Sequence, residues 1–173
     1  MILLSAPFLK SISKLSPTIL SLGVLPGLSA LVESAYANEP DPLLSVEKLE
    51  EILSNPVFYH LIGRTLYKEQ RFLVSLPVKD TYAKKENADP ALASADGEEM
   101  LFQGAIDLLA VGDSDAWIID YKYSIRDKES IQRHYEPQLR LYRLAVAKIL
   151  KLPVEKVRCS IVNIYRGFQV DLF

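Results

Sequence analysis

Two stretches of the chain that read as buried strands each carry a charge that such a strand has little reason to hold. Asp107 stands in Phe102-Gln103-Gly104-Ala105-Ile106-Asp107-Leu108-Leu109-Ala110, and Asp120 stands in Trp117-Ile118-Ile119-Asp120-Tyr121-Lys122. Removing an ionised group from water is unfavourable unless a partner charge or a metal compensates it. Side chains alternate across a strand, so Asp120 and Lys122 face one side and Tyr121 the other. A hairpin closed by Gly112-Asp113-Ser114-Asp115 could bring Asp107 beside them. Two carboxylates with an ammonium on one sheet face offer hard oxygen donors of the kind that suit Mg²⁺ or Mn²⁺, which keeps several waters and uses one or two carboxylates. The metal would polarise a phosphate and acidify its water, while the ammonium orients the nucleophile and offsets developing charge. That division of labour is what phosphodiester hydrolysis needs. From spacing alone, an ordinary strand-end ion pair is the competing account.

These side chains depend on the elements that carry them. Phe72, Val74 and Leu76 alternate with Arg71 and Ser75, which predicts a half-buried strand from Leu66 to Pro77. Asp80 to Glu99 is polar and Ala-rich without a convincing period, and reads as a long connection. Leu101 to Val111 and Trp117 to Tyr123 are the two acid-bearing strands. Tyr135 to Lys151 is the clearest helix. Its apolar stripe is Tyr135, Leu139, Tyr142, Val146, Ile149 and Leu150, with Arg140, Arg143 and Lys151 opposite, and Pro153 follows its end. Val157 to Tyr165 and Phe168 to Phe173 close the chain as strands around Arg166-Gly167. Upstream, Ser45 caps a short helix through Leu53, and a second helical segment runs from Pro56 to about Thr65. The expected class is α/β: a restriction-endonuclease-like αβββαβ core, with one extra strand and a central mixed sheet flanked by helices. Residues 1–42 are expected to form a helical or weakly ordered lead-in and linker, and 43–173 the domain.

Gln138 falls in the middle of the helix stripe, with Tyr142 one turn later on the same side. An amide there needs partners, so it either satisfies itself structurally or positions the acid and lysine cluster.

The chain has 173 residues, nearly half hydrophobic and a quarter charged, as suits one principal core. Net charge is −2, which by itself does not argue for nucleic acid. Lys122, Arg126, Lys128, Arg133, Arg140, Arg143, Lys148 and Lys151 nevertheless outnumber Asp127, Glu129 and Glu136 along one stretch. That excess fits a phosphate-binding face, or equally a solvated basic helix. Cys159 is the single cysteine, so disulfide frameworks, Cys-ligated zinc and iron–sulfur clusters are excluded and a buried strand position is expected. Met1 to Ala37 ends in Ala35-Tyr36-Ala37, which looks like a signal cleavage site. Its first cation comes only at Lys10, and Pro17, Gly23, Pro26 and Gly27 break the apolar run, so a cytoplasmic protein with no membrane span is expected.

Four pieces in order resemble the nuclease domain at the C-terminus of the RecB and AddA helicase–nuclease subunits, in the PD-(D/E)XK superfamily. They are Lys68-Glu69-Gln70-Arg71-Phe72; Gln103-Gly104-Ala105-Ile106-Asp107-Leu108-Leu109; Ile118-Ile119-Asp120-Tyr121-Lys122; and Tyr135-Glu136-Pro137-Gln138-Leu139-Arg140-Leu141-Tyr142. The resemblance covers about Leu49 to Phe173. It implies Asp107 and Asp120 as metal ligands joined by the Tyr121 carbonyl, Lys122 as the catalytic lysine, and Gln138 with Tyr142 as a QxxxY pair that orders the site and contacts DNA. Glu69 matches a recurrent acid of the first strand, where a surface charge is the alternative.

The implied protein is a Mg²⁺- or Mn²⁺-dependent DNA exonuclease-like domain for double-strand break processing and recombination. It would act on single-stranded ends delivered by a helicase on another chain, either freestanding or as a piece of an AddA-like protein. No GxxxxGK[ST] stands in this sequence, so ATP-driven unwinding would come from elsewhere. One departure from the family is that Leu28-Ser29-Ala30-Leu31-Val32-Glu33, where a metal-binding histidine is usual, has none. His60 stands in another context and reads as surface or packing. The alternative is accordingly an impaired nuclease fold serving as a scaffold or DNA-binding module.

Overall fold

The computed structural model describes residues 60, 61, 63–82 and 97–173. The expected lead-in, the Ala35-Tyr36-Ala37 site, the 28–33 stretch, the helix begun at Ser45 and most of the segment from Pro56 lie outside them.

The described elements run β1 (Thr65–Pro77), α1 (Val78–Tyr82), β2 (Glu99–Val111), β3 (Ala116–Lys122), α2 (Lys128–Leu150), β4 (Val157–Asn163) and β5 (Phe168–Asp171), with a 3₁₀ turn at Val154–Lys156. They form a five-stranded mixed sheet in the order β1-β2-β3-β4-β5. All neighbours are antiparallel except β3 and β4, which are parallel and joined by α2. Parallel neighbours need a long crossover, and α2 supplies it. The class is α/β, as expected. Two short elements were not anticipated: α1 occupies the start of the expected connection, and a 3₁₀ turn precedes β4.

The β2–β3 register is set by its turn. Gly112 N–H donates to the Asp115 carbonyl at 2.9 Å. Arg64 grips the Asp115 carboxylate through Nη1 and Nη2 at 2.8 and 2.7 Å, and Arg158 adds a longer contact. A Cβ at Gly112 would press on the Asp115 carboxylate and the Arg64 guanidinium, so a larger residue there would shift this ion pair. A one-residue slip would turn each side chain to the other face, so fixing this turn fixes which residues of β2 and β3 meet.

Helix α2 begins seven residues before the expected Tyr135. The Asp127 carboxylate caps it by accepting from Ser130 N–H at 2.8 Å. Pro137 then lies inside the helix rather than in its first turn. Lys151 ends it in the left-handed conformation, φ 55°. Its core face is Ile131, Leu139, Tyr142, Ala145, Val146 and Ala147, packed with Ile106, Ile118, Cys159 and Ile161. Ile149, placed on the stripe by periodicity, is 46% exposed. Arg143, placed opposite, folds back so that Nε donates to the Val157 carbonyl at 2.7 Å and the guanidinium covers Phe173.

Gly104 of β2 faces this helix. A Cβ there would stand 2.7 Å from Phe72 and 2.9 Å from Tyr142, whose rings meet edge-on with centroids 5.2 Å apart. The missing side chain lets two aromatics close over the sheet. Cys159 is fully buried on β4, and burial pushes its thiol up to about 12, which fits the packing role expected of it.

Candidate functional site

The β2–β3 ladder runs from Val111↔Ala116 to Leu108↔Ile119 and stops there. The next pair in that register would set Asp107 opposite Asp120, and like charges directly opposed on neighbouring strands are destabilising. The strands separate instead, and the Tyr121 N–H, which has left the ladder, donates to Asp107 Oδ2 at 2.9 Å. The β1–β2 pairing skips Asp107 as well, passing from Lys68↔Leu108 to Gln70↔Ile106. Its would-be partner is Glu69, an exposed residue with φ 45°. A non-glycine residue in that region costs roughly 1–2 kcal/mol, and such strain is characteristically kept at functional sites. Glu69, Asp107 and Asp120 are therefore in one row across three strands, at a break in both ladders.

Lys122 Nζ makes an ion pair with Asp120 Oδ2, so the alternation expected of β3 holds. That oxygen is fully buried and has no aligned hydrogen bond among the described residues, although the ammonium touches it. Burial raises the Asp120 carboxyl to about 6 against the opposing pull of Lys122, and the Asp107 charge adds to the rise. Burial raises Asp107 too; the Tyr121 amide and Lys122 oppose this, and Glu69 adds slightly to it. On Lys122, burial is outweighed by the attraction of Asp120 and Asp107, and its pKa rises. Two desolvated carboxylates thus share one ammonium, and the cluster carries uncompensated negative charge.

The helix reaches this cluster through Tyr135, whose ring centroid lies 4.7 Å from Lys122 Nζ. His134 packs edge-on against the same ring at 4.6 Å between centroids. Tyr135 was legible as the head of the apolar stripe and of the helix motif, with nothing to mark it as the residue that meets Lys122. Gln138 and Tyr142 bond to each other, with Gln138 Nε2 donating to Tyr142 Oη at 3.0 Å. Among the described residues no hydrogen bond or ion pair links that pair to Asp107, Asp120 or Lys122. It braces the helix on Gly104 and Phe72 instead. His60 is exposed and stacks near Trp117, with centroids 5.9 Å apart, away from the acids, as its context suggested.

Half of the basic stretch is committed to the fold. Lys122 is held by Asp120 and Arg143 by Val157; Lys148 donates to the Ser75 carbonyl at 2.7 Å and Arg140 to the Asp80 carbonyl at 3.3 Å. Arg126 and Arg133 keep exposed side chains. Lys128, Lys148 and Lys151 are exposed as well.

Among the described residues no group of three or more His, Cys, Asp or Glu side chains is gathered tightly enough to hold a metal on its own. The donor set of Asp107 and Asp120 still fits Mg²⁺ or Mn²⁺, which retain water and need one or two carboxylates. The buried, incompletely satisfied Asp120 oxygen supports that fit.

A family model described as the PD-(D/E)XK nuclease superfamily matches residues 28–171. Among curated relatives, an ATP-dependent helicase/nuclease polypeptide of Oceanobacillus iheyensis is 29% identical over 154 residues, covering 76% of this chain and 12% of that protein. Its counterpart of the same name in Bacillus licheniformis is 32% identical over 138 residues, covering 74% and 11%. The one in Heliobacterium modesticaldum is 30% identical over 125 residues, covering 67% and 8%. The chain thus spans about a tenth of the length of these relatives.

Proposed function

Since the chain belongs to the PD-(D/E)XK nuclease superfamily, we propose that it is a divalent-metal-dependent DNA nuclease domain, exonuclease-like, acting in double-strand break processing and recombination beside a helicase. The observation that carries this reading is the meeting of Asp107, Asp120 and Lys122 where the β2–β3 ladder opens.

In this reading Asp107 and Asp120, with the Tyr121 carbonyl, hold Mg²⁺ or Mn²⁺. Bound there, the ion supplies Lewis-acid polarisation of the phosphate and a water of lowered pKa. Asp107 is steadied for this by the Tyr121 N–H. Lys122, charged at neutral pH, orients the attacking water and offsets the negative charge that builds on the phosphorus oxygens as the leaving oxygen departs. Tyr135 limits the paths open to the ammonium. Gln138 and Tyr142 hold the helix on the sheet, and of the two the half-buried Gln138 is the one open to contact with DNA.

The relatives are named for both helicase and nuclease, which supports a helicase partner; single-stranded ends are what we propose that it delivers. Among the described residues no helix is long and apolar enough to cross a membrane. A cytoplasmic site of action goes with the proposed reaction.

The test is cleavage of single- and double-stranded DNA by the purified chain with Mg²⁺ or Mn²⁺. Asp120→Asn and Lys122→Ala should each lower the rate by roughly 10²–10³-fold. Undiminished cleavage by both variants would trace the activity to a contaminant. DNA binding without cleavage by the parent protein would favour the scaffold reading instead.

A further inference from the structure

Just past Lys122 the chain leaves two aromatic rings at the surface. Tyr123 and Tyr165 pack edge-on with centroids 5.1 Å apart, yet remain 38% and 48% exposed. Both are tied to the end of β3. Tyr123 follows Lys122 directly, and Tyr165 follows Ile164, whose N–H donates to the Lys122 carbonyl at 2.8 Å. The loops that carry them are bonded to each other. Asn163 Nδ2 donates to the Ser124 carbonyl at 2.9 Å, and Asn163 Oδ1 accepts from the Arg166 N–H at 3.3 Å. Arg166 also reaches the Ile125 carbonyl at 3.4 Å. The rings are therefore held in place before any ligand arrives, which lowers the ordering cost of binding.

The surroundings are cationic. Arg126 and Lys128 follow Tyr123 along the chain and Arg166 follows Tyr165, all three exposed, with Lys128 Nζ over the Phe168 ring at 5.6 Å. Asp127, which caps α2, and Glu129 are the acids among them, so three cations stand against two carboxylates. Fixed aromatic faces among cations suit a ligand with flat rings on an anionic backbone: unpaired bases stack on the rings and phosphates meet the guanidiniums. A duplex hides its base faces, so the surface would distinguish unpaired strands from paired ones.

We propose that Tyr123, one residue beyond Lys122 at the end of β3, and Tyr165 form a base-stacking platform for single-stranded DNA, with Arg126 and Arg166 taking its phosphates. This rests on the nuclease reading above, since it supplies the substrate of that same site.

The experiment measures binding of a labelled oligothymidylate to the full chain by fluorescence anisotropy, in EDTA so that no cleavage intervenes. Tyr123→Ala and Tyr165→Ala should each weaken binding about tenfold, while Tyr123→Phe and Tyr165→Phe, which keep the ring, stay within about twofold of the parent. Arg126→Ala should flatten the salt dependence, and a blunt duplex of the same sequence should compete poorly. Any of four results would overturn the platform: no binding by the parent, alanine variants that bind like the parent, phenylalanine variants as weak as alanine ones, or duplex binding as tight as single-strand binding. The binding readout is separate from the reaction. Ring-dependent binding without cleavage in metal would count against the nuclease reading alone, whereas cleavage at parental KM by the double alanine variant would remove the platform and leave that reading standing.

Discussion

The Lys122 ammonium lies 4.7 Å from the centre of the Tyr135 ring, so the helix meets the strand-borne cluster through an aromatic face and not through the glutamine one turn further on. The ring's negative face favours a cation, and it supports the ammonium without displacing the carboxylate that Asp120 supplies. Removing the ring should free the lysine to adopt other rotamers.

Tyr135→Leu is therefore expected to lower kcat by roughly 2- to 30-fold, the range set by cation–π energies, with a smaller change in KM. Tyr135→Phe keeps the ring face and should stay near the parent. Equal losses in both variants would place the role in the hydroxyl, and no loss in either would remove Tyr135 from the site.

The buried acids set an unusual pH response. An acid whose pKa is higher folded than unfolded binds more protons in the native state, so stability falls as pH rises through that window. For Asp120 the window runs from 3.8 to about 6, and Asp107 shifts the same way. The metal-free protein should therefore be more stable at about pH 5 than at about pH 7.5, with up to roughly 3 kcal/mol at stake across the whole window. Asp115, held low by its hydrogen bonds to Arg64, contributes stability that is lost only as pH falls below the ordinary carboxylate range. Asp120→Asn should flatten the slope. Melting curves in EDTA decide it, and a parent protein that gains stability on going from the lower to the higher pH would refute the assignment.

A divalent cation should cancel the same uncompensated charge. Saturating Mn²⁺ or Mg²⁺ at neutral pH is expected to raise the melting temperature, with about 2.7 kcal/mol available at a hundredfold excess over Kd. Asp107→Ala should abolish the effect and the heat of binding seen by calorimetry. A parent protein whose melting ignores both ions would contradict the metal site.

Gly104→Ala tests the packing beneath the site. The added Cβ would press on Phe72 and Tyr142 at 2.7 and 2.9 Å, and Phe102 also packs against both rings. Overpacking of this kind costs about 1–3 kcal/mol. Urea denaturation should show the loss, and a fully stable variant would mean that the rings yield freely.

Much of this arrangement was readable along the chain because its causes are local. The two-residue period placed Asp120 and Lys122 together, the Gly112 to Asp115 turn joined β2 to β3, and a charge in each apolar run marked the site. The start of α2 was readable in principle from Asp127 and Ser130, but the apolar stripe that marked the helix begins only at Tyr135. The family resemblance connected Gln138 and Tyr142 with the site, whereas the structure bonds them to each other against Gly104. Which helical side chain reaches Lys122, which arginines are consumed by backbone carbonyls, and the twist at Glu69 all depend on how α2 rotates and crosses the sheet. That angle comes from the summed packing of residues far apart in sequence, such as Tyr142 on Phe72, and no local period encodes it. Short-range order named the reactive groups; long-range packing chose their companions.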